Sequence, residues 1–169
     1  MIKILKTLLF ACLILPQFVS ATVASANDMM MARLPLKAEI ALEYVKASIR
    51  EHEYTIAHEQ LCDGGMTTFG YKTDTYRVLF FGKGKEIRML SEKHPDIVSY
   101  LPLKMTVVAE NNETLLSILD PDFLARYYDD RDVLITLQRW QNDIRSIFND
   151  VRRGVAQHGQ ADKNLSAKP

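Results

Sequence analysis

Cysteine is almost missing from this chain, with Cys12 and Cys62 the two present among 169 residues. A disulfide framework is therefore excluded, and the fold has to rest on an apolar core. Neither charge is in surplus, since 21 Lys and Arg stand against 21 Asp and Glu. Nucleic acid and anionic membrane surfaces both need concentrated basic charge, so neither is a predicted partner. Also missing are the His-Glu-x-x-His zinc helix and the Cys-x-x-Cys pair, which removes the two most specific signatures of metal and thiol chemistry. No uninterrupted apolar run reaches the ~20 residues of a spanning helix; the longest begins at Thr7 and is broken at Pro16 and Gln17.

That interrupted run has the layout of an export signal. Lys3 and Lys6 form a basic start, residues 7–19 are apolar, and Ala24, Ser25 and Ala26 supply the small residues of a cleavage site. Cleavage after Ala26 is predicted, giving a periplasmic or secreted protein with no integral membrane segment after processing. Cys12 does not read as a lipid attachment site, because Phe10 is bulky where small residues are needed. Processing leaves 143 residues, enough for one domain with its own core. It removes two lysines and no acid, for a net charge near −2. It also leaves Cys62 as the lone thiol in an oxidising space, where it is buried, paired with another chain, or reactive.

Residues 27–37 read as a short leader. Helical spacing of Ile40, Ala41, Tyr44, Val45 and Ile49 then predicts a helix over 38–51. Residues 54–61 and 66–71 read as a hairpin turned at Asp63-Gly64-Gly65. The nearly continuous apolar segment 76–81 predicts a central strand buried on both faces. A surface helix over 83–93 is stopped by His94-Pro95. Strands at 103–109 and 113–119 flank Asn111-Asn112, and Asp120-Pro121 reads as an N-cap followed by a first helical residue. Finally, Val133, Leu137, Trp140, Ile144, Ile147 and Val151 recur in steps of four and three within a helix over 129–154. Such a seam fits packing on its own domain or a homodimer interface. Gly154 is predicted to end the helix and 155–169 to be a disordered tail. Strands and helices do not strictly alternate, which predicts an α+β fold with a mainly antiparallel sheet.

The segments Tyr76-Arg77-Val78-Leu79-Phe80-Phe81-Gly82 and Tyr100-Leu101-Pro102-Leu103-Lys104-Met105, followed by Asp120-Pro121, carry a resemblance. Over residues 36–128 the chain resembles domain-of-unknown-function family 302. The resemblance implies a compact β-α-β4-α domain similar to the TATA-box-binding-protein-like fold, and it brings no established activity. Where that family has Phe-Gly-Asn-Pro, this chain has Gly82-Lys83-Gly84-Lys85, a more basic loop. The C-terminal helix lies outside the resembling segment.

Candidate chemistry is sparse. His58 and Cys62 are the predicted metal pair, since imidazole and thiolate suit copper, zinc or haem iron. Four residues of extended chain span roughly 13 Å, so the two share an ion only if the strand stops short of Cys62. Met29-Met30-Met31 could recruit Cu(I) through thioethers. Gly82-Lys83-Gly84-Lys85 has the look of an anion-binding turn before a helix. Asp129, Asp130 and Asp132 fit a helix start. The expectation is an exported, non-enzymatic binding or accessory domain whose partner is a small ligand or an envelope protein of a redox or metal-handling system. The alternatives are a thiol-dependent enzyme using Cys62, and a dimerisation module using the last helix.

Overall fold

The computed structural model describes residues 28–72 and 74–166. The predicted signal and Cys12 lie outside the described residues. Five strands form one antiparallel sheet: β1 (Met29–Leu34), β2 (Thr55–Leu61), β3 (Tyr76–Gly82), β4 (Leu103–Glu110) and β5 (Glu113–Leu119), in the spatial order β1-β5-β4-β3-β2. Helix α1 (Ala38–Glu51) links the two edge strands, crossing one face of the sheet. After β5, α4 (Pro121–Ala125) leads to α5 (Arg131–Ser166), which packs beside α1. Omitting the short helices α2 (Asp63–Thr68) and α3 (Gly84–Lys93) and a 3-10 turn at Pro95–Tyr100, the chain reads β-α-β4-α. The α+β fold with its antiparallel sheet is as the sequence predicts.

Alternation along the strands sets the two faces. Ala32, Leu34, Leu79, Phe81, Leu103, Met105, Val107, Leu116 and Ile118 are buried under the helices. Val78 and Phe80, pointing the other way, are only half-buried. The prediction that β3 is buried on both faces is thus corrected, because α1 and α5 cover a single face.

Helix ends follow local chemistry. Asp120 accepts a hydrogen bond from the Asp122 N–H at 3.0 Å, with Pro121 at the first helical position. Asp130 does the same for α5, accepting from the Asp132 and Val133 N–H groups. Helix α1 closes through Glu53 in the left-handed region, φ 62°, with the Tyr54 N–H reaching the Ile49 carbonyl. In the two-residue turn between β4 and β5, Asn111 takes φ 55°, a conformation asparagine tolerates.

Three further expectations are corrected. The segment read as a leader holds β1, whose six residues pair with β5 in unbroken register; three consecutive methionines mask the alternation of a half-exposed edge strand. The predicted hairpin of 54–61 with 66–71 does not form, since β2 pairs with β3 and residues 63–68 are helical. There the Asp63 carboxylate takes the Tyr76 N–H at 3.0 Å and the Arg77 guanidinium, closing the connection at its base. Gly154 does not end the last helix, which continues to Ser166. A side chain at 154 would place its Cβ 2.7 Å from the Tyr44 ring, so this glycine admits α1 against α5. Val155, in the segment read as a tail, is buried in the core.

Of the two readings of the heptad seam, the structure selects packing on its own domain over a homodimer interface. Val133, Leu137, Trp140, Ile144, Ile147 and Val151 are all at most 1% exposed inside the domain's own core. A dimer seam has to remain on the surface of the folded protomer, and these six residues are not there.

Candidate functional site

The residues singled out in sequence are scattered. His58 sits exposed on β2 with its ring 5.8 Å from that of Phe80. Cys62 follows the last residue of β2, and its N–H continues the ladder by bonding the Tyr76 carbonyl at 2.9 Å. The chain between them is therefore extended, and the fold does not bring the pair together as ligands. Among the described residues no three His, Cys, Asp or Glu side chains converge to hold a metal ion. Met29 and Met31 lie on one side of β1 and Met30 on the other, as strand alternation requires.

Lys83, in the predicted anion turn, is turned inward. Its Nζ lies 4.7 Å above the Tyr54 ring and 3.9 Å from both Glu53 and Asp143. It belongs to a polar cluster that sequence reasoning missed. The Tyr54 hydroxyl donates to Asp143 at 2.7 Å, Arg139 bridges Asp143 (3.1 Å) and Glu86 (2.5 Å), and the Trp140 indole N–H donates to Glu86 at 2.9 Å. Burial, reinforced by the bond to Asp143, pushes the Tyr54 hydroxyl far above the usual phenol range, so it stays a donor. Lys83 and Arg139 face the carboxylates of Asp143 and Glu86, with the exposed Glu53 at the margin, and the cluster clamps α3 to α5. Gly82 lets α3 lie close against the end of β3, because a Cβ there would lie 2.3 Å from the Ile87 side chain.

A second missed cluster joins α1 to α5. His52 Nε2 lies 2.8 Å from Asp150 Oδ2, the Ser48 hydroxyl donates to the same oxygen at 3.3 Å, and Arg153 pairs with Asp150. Ser48, Asp150 and Arg153 border an open cleft of about 480 Å³. The carboxylate, not the imidazole, occupies the centre, and Ser48 is buried. A nucleophilic triad needs the histidine between the other two, so this arrangement fastens helices instead. The hydrogen bond with His52 holds the Asp150 carboxyl below the usual carboxylate range. Asp130 is lowered by the N–H groups of Val133 and Asp132, and Glu39 by the Thr75 hydroxyl.

A pH dependence follows. These carboxyls are depressed on folding, so the unfolded chain takes up protons first as pH falls. Their stabilisation is present above the ordinary carboxyl pKa of ~4 and is lost as pH drops through the folded values below it. Urea unfolding between pH 6 and 3 is expected to show falling stability below pH ~4, with a shallower fall in Asp150→Asn. A profile unchanged by that substitution contradicts the assignment.

The surface best suited to a ligand is the arm connecting β2 to β3. Its base is fixed by Cys62, Asp63 and Arg77 as described, and Tyr71 N–H bonds back to the Met66 carbonyl at 3.1 Å. Gly70, at φ 82°, reverses the chain there. Helix α2 buries no residue, and around it Leu61, Phe69 and Tyr71 are 68%, 85% and 40% exposed. Nothing in the sequence flagged the arm, because its Gly-rich start reads as an ordinary turn.

The fold has solved counterparts. The crystal structure of an uncharacterised conserved DUF302 protein from Bacillus stearothermophilus superposes with a TM-score of 0.66 at 13% identity, covering 75% of this chain and all of that one. No curated protein matches the chain. The sequence matches a family described as a domain of unknown function over residues 22–151, taking in β1 and most of α5. The C-terminal helix is thus part of the family's domain and not an addition to it. With most of its length matched, the chain belongs to the DUF302 family.

Proposed function

We propose that this chain is exported and works outside the cytoplasm as a non-enzymatic binding or accessory domain, docking an envelope protein through the tip of the β2–β3 arm. The observation carrying this reading is the exposure of Phe69, Leu61 and Tyr71 on a segment whose base is anchored. Burying a phenylalanine side chain is worth about 1.5–3 kcal/mol, which Phe69 does not gain within its own domain. Aromatic side chains held clear of the core in this way are enriched at protein interfaces. Export rests on the signal-like residues 1–26. Among the described residues, no helix is long and apolar enough to cross a membrane.

Expression of the full chain is expected to yield a periplasmic protein whose N-terminal sequence starts at Asn27. A photo-crosslinker at position 69 should trap a partner there, and Phe69→Ser should weaken its capture by about 2 kcal/mol, roughly thirtyfold. The substitution should leave stability within about 0.5 kcal/mol, as for other exposed positions. Retention in the cytoplasm with residues 1–26 intact, or partner capture indifferent to Phe69, rejects the proposal.

A further inference from the structure

We infer that the outer edge of β1, unpaired among the described residues, is a second docking site, one that takes an extended acidic segment of another protein as a sixth strand. The phase of the ladder shows which groups are open. Asp120 N–H bonds the Asp28 carbonyl at 2.9 Å, and residue 29 lies opposite 119 in unbroken antiparallel register. Hydrogen-bonded and non-bonded pairs alternate in such a ladder. Met30, Ala32 and Leu34 therefore turn their backbone groups to β5, while Met29, Met31 and Arg33 turn theirs outward.

Protein edges are usually protected by bulges, prolines or charges. The opposite edge, β2, has a register irregularity between Ile56 and His58 and carries Glu59. Strand β1, Met-Met-Met-Ala-Arg-Leu, has no irregularity, no proline and no charge before Arg33.

The surface beside this edge selects the partner's chemistry. A groove of about 420 Å³ runs between β1 and α5, with Phe148 contributing to its wall and Arg145 and Arg152 on its rim. Both arginines are exposed. Arg152 contacts the neutral Asn149 side chain at 3.2 Å, and among the described residues Arg145 has no acidic partner. Asp120, also in the groove, is engaged by Gln141 at 2.8 Å and by the Asp122 N–H. The groove thus offers two guanidinium groups that, among the described residues, pair with no carboxylate, its one lining carboxylate, Asp120, being engaged elsewhere. They lie seven positions apart on the helix, about 10.5 Å of rise, a distance that carboxylates two to four residues apart on a strand can straddle. A second copy of this chain fits poorly, since antiparallel pairing of two β1 edges would face both arginines of each copy across one seam.

The test uses fluorescein-labelled decapeptides of alternating threonine and valine bearing two glutamates four positions apart, with glutamine and lysine versions for comparison. Fluorescence anisotropy with the processed protein should show binding of the glutamate peptide, weakening as salt rises, and at least tenfold weaker binding of the other two. Arg145→Glu with Arg152→Glu should cost at least tenfold. So should Met31→Pro, which removes an outward N–H and no bond to β5, with circular dichroism unchanged in both variants. Phe69→Ser should leave peptide binding intact, separating this site from the arm. Absence of glutamate-peptide binding, equal binding of the lysine peptide, or indifference to both variants overturns the inference. Dimerisation of the protein abolished by Met31→Pro would overturn it as well, by giving the edge to a second copy.

Discussion

Ile144→Asp is expected to unfold the entire domain, leaving no folded portion behind. Ile144 is fully buried on α5, in the core shared with α1 and the sheet. Truncating a buried isoleucine costs about 2–5 kcal/mol, and leaving a carboxylate in its place without a cation adds several more. Against a typical total stability of about 5–15 kcal/mol, the sum exhausts the fold. Had the seam joined two protomers, the same substitution would instead halve the mass and keep residues 36–128 folded. Circular dichroism with size-exclusion chromatography separates the cases. Loss of both secondary structure and the compact elution volume is expected, while Ser146→Asp, on the exposed side of the helix, should behave as the parent protein. A folded Ile144→Asp monomer contradicts the intramolecular packing.

The contrast between those two substitutions shows where sequence reasoning succeeds and where it stops. The 3.6-residue period of α1 and α5 and the two-residue spacing around Asn111-Asn112 report how each element meets a buried surface, so both are legible locally. Which surface buries them is a tertiary matter. A stripe in steps of four and three suits a partner helix or the chain's own sheet equally, and only α1 crossing from β1 to β2 decides it. The β2–β3 arm failed for a related reason: Asp63-Gly64-Gly65 has turn chemistry, but the bond from Tyr76 N–H to Asp63 spans thirteen residues and leaves no local trace. Gly154 misled in the same way, since a glycine admitting Tyr44 and a glycine ending a helix look identical in one dimension.

The candidate sites were less legible than the fold. His58 and Cys62 drew attention by residue type, yet an extended strand holds them apart. Tyr54, Glu86, Arg139 and Asp143 come from three separate segments, and no spacing rule joins them. Lys83 was noticed as part of a basic loop, but its position over the Tyr54 ring makes it a member of that cluster. Exposure is equally invisible in sequence: Phe69 reads like any other core aromatic until the fold leaves it outside.

Trp140, the chain's single tryptophan, ties core and polar cluster together and is the site of the second large effect. Its ring is buried in the core while its N–H donates to Glu86. Trp140→Ala removes both contributions, at about 3–5 kcal/mol, lowering the melting temperature by roughly 10–20 °C for a domain of this size. Trp140→Phe keeps most of the packing and loses the donor, but Glu86 retains Arg139 at 2.5 Å. Its cost should therefore be nearer 1 kcal/mol. Urea unfolding followed by circular dichroism measures both variants, and tryptophan emission of the parent should shift to longer wavelength in the same transition. If Trp140→Phe proves as damaging as Trp140→Ala, the bond to Glu86 outweighs the packing, and the polar cluster rather than the apolar core holds α3 to α5. A mild Trp140→Ala would instead show that the core under α5 repacks freely, and the expected collapse of Ile144→Asp would then rest on charge burial alone.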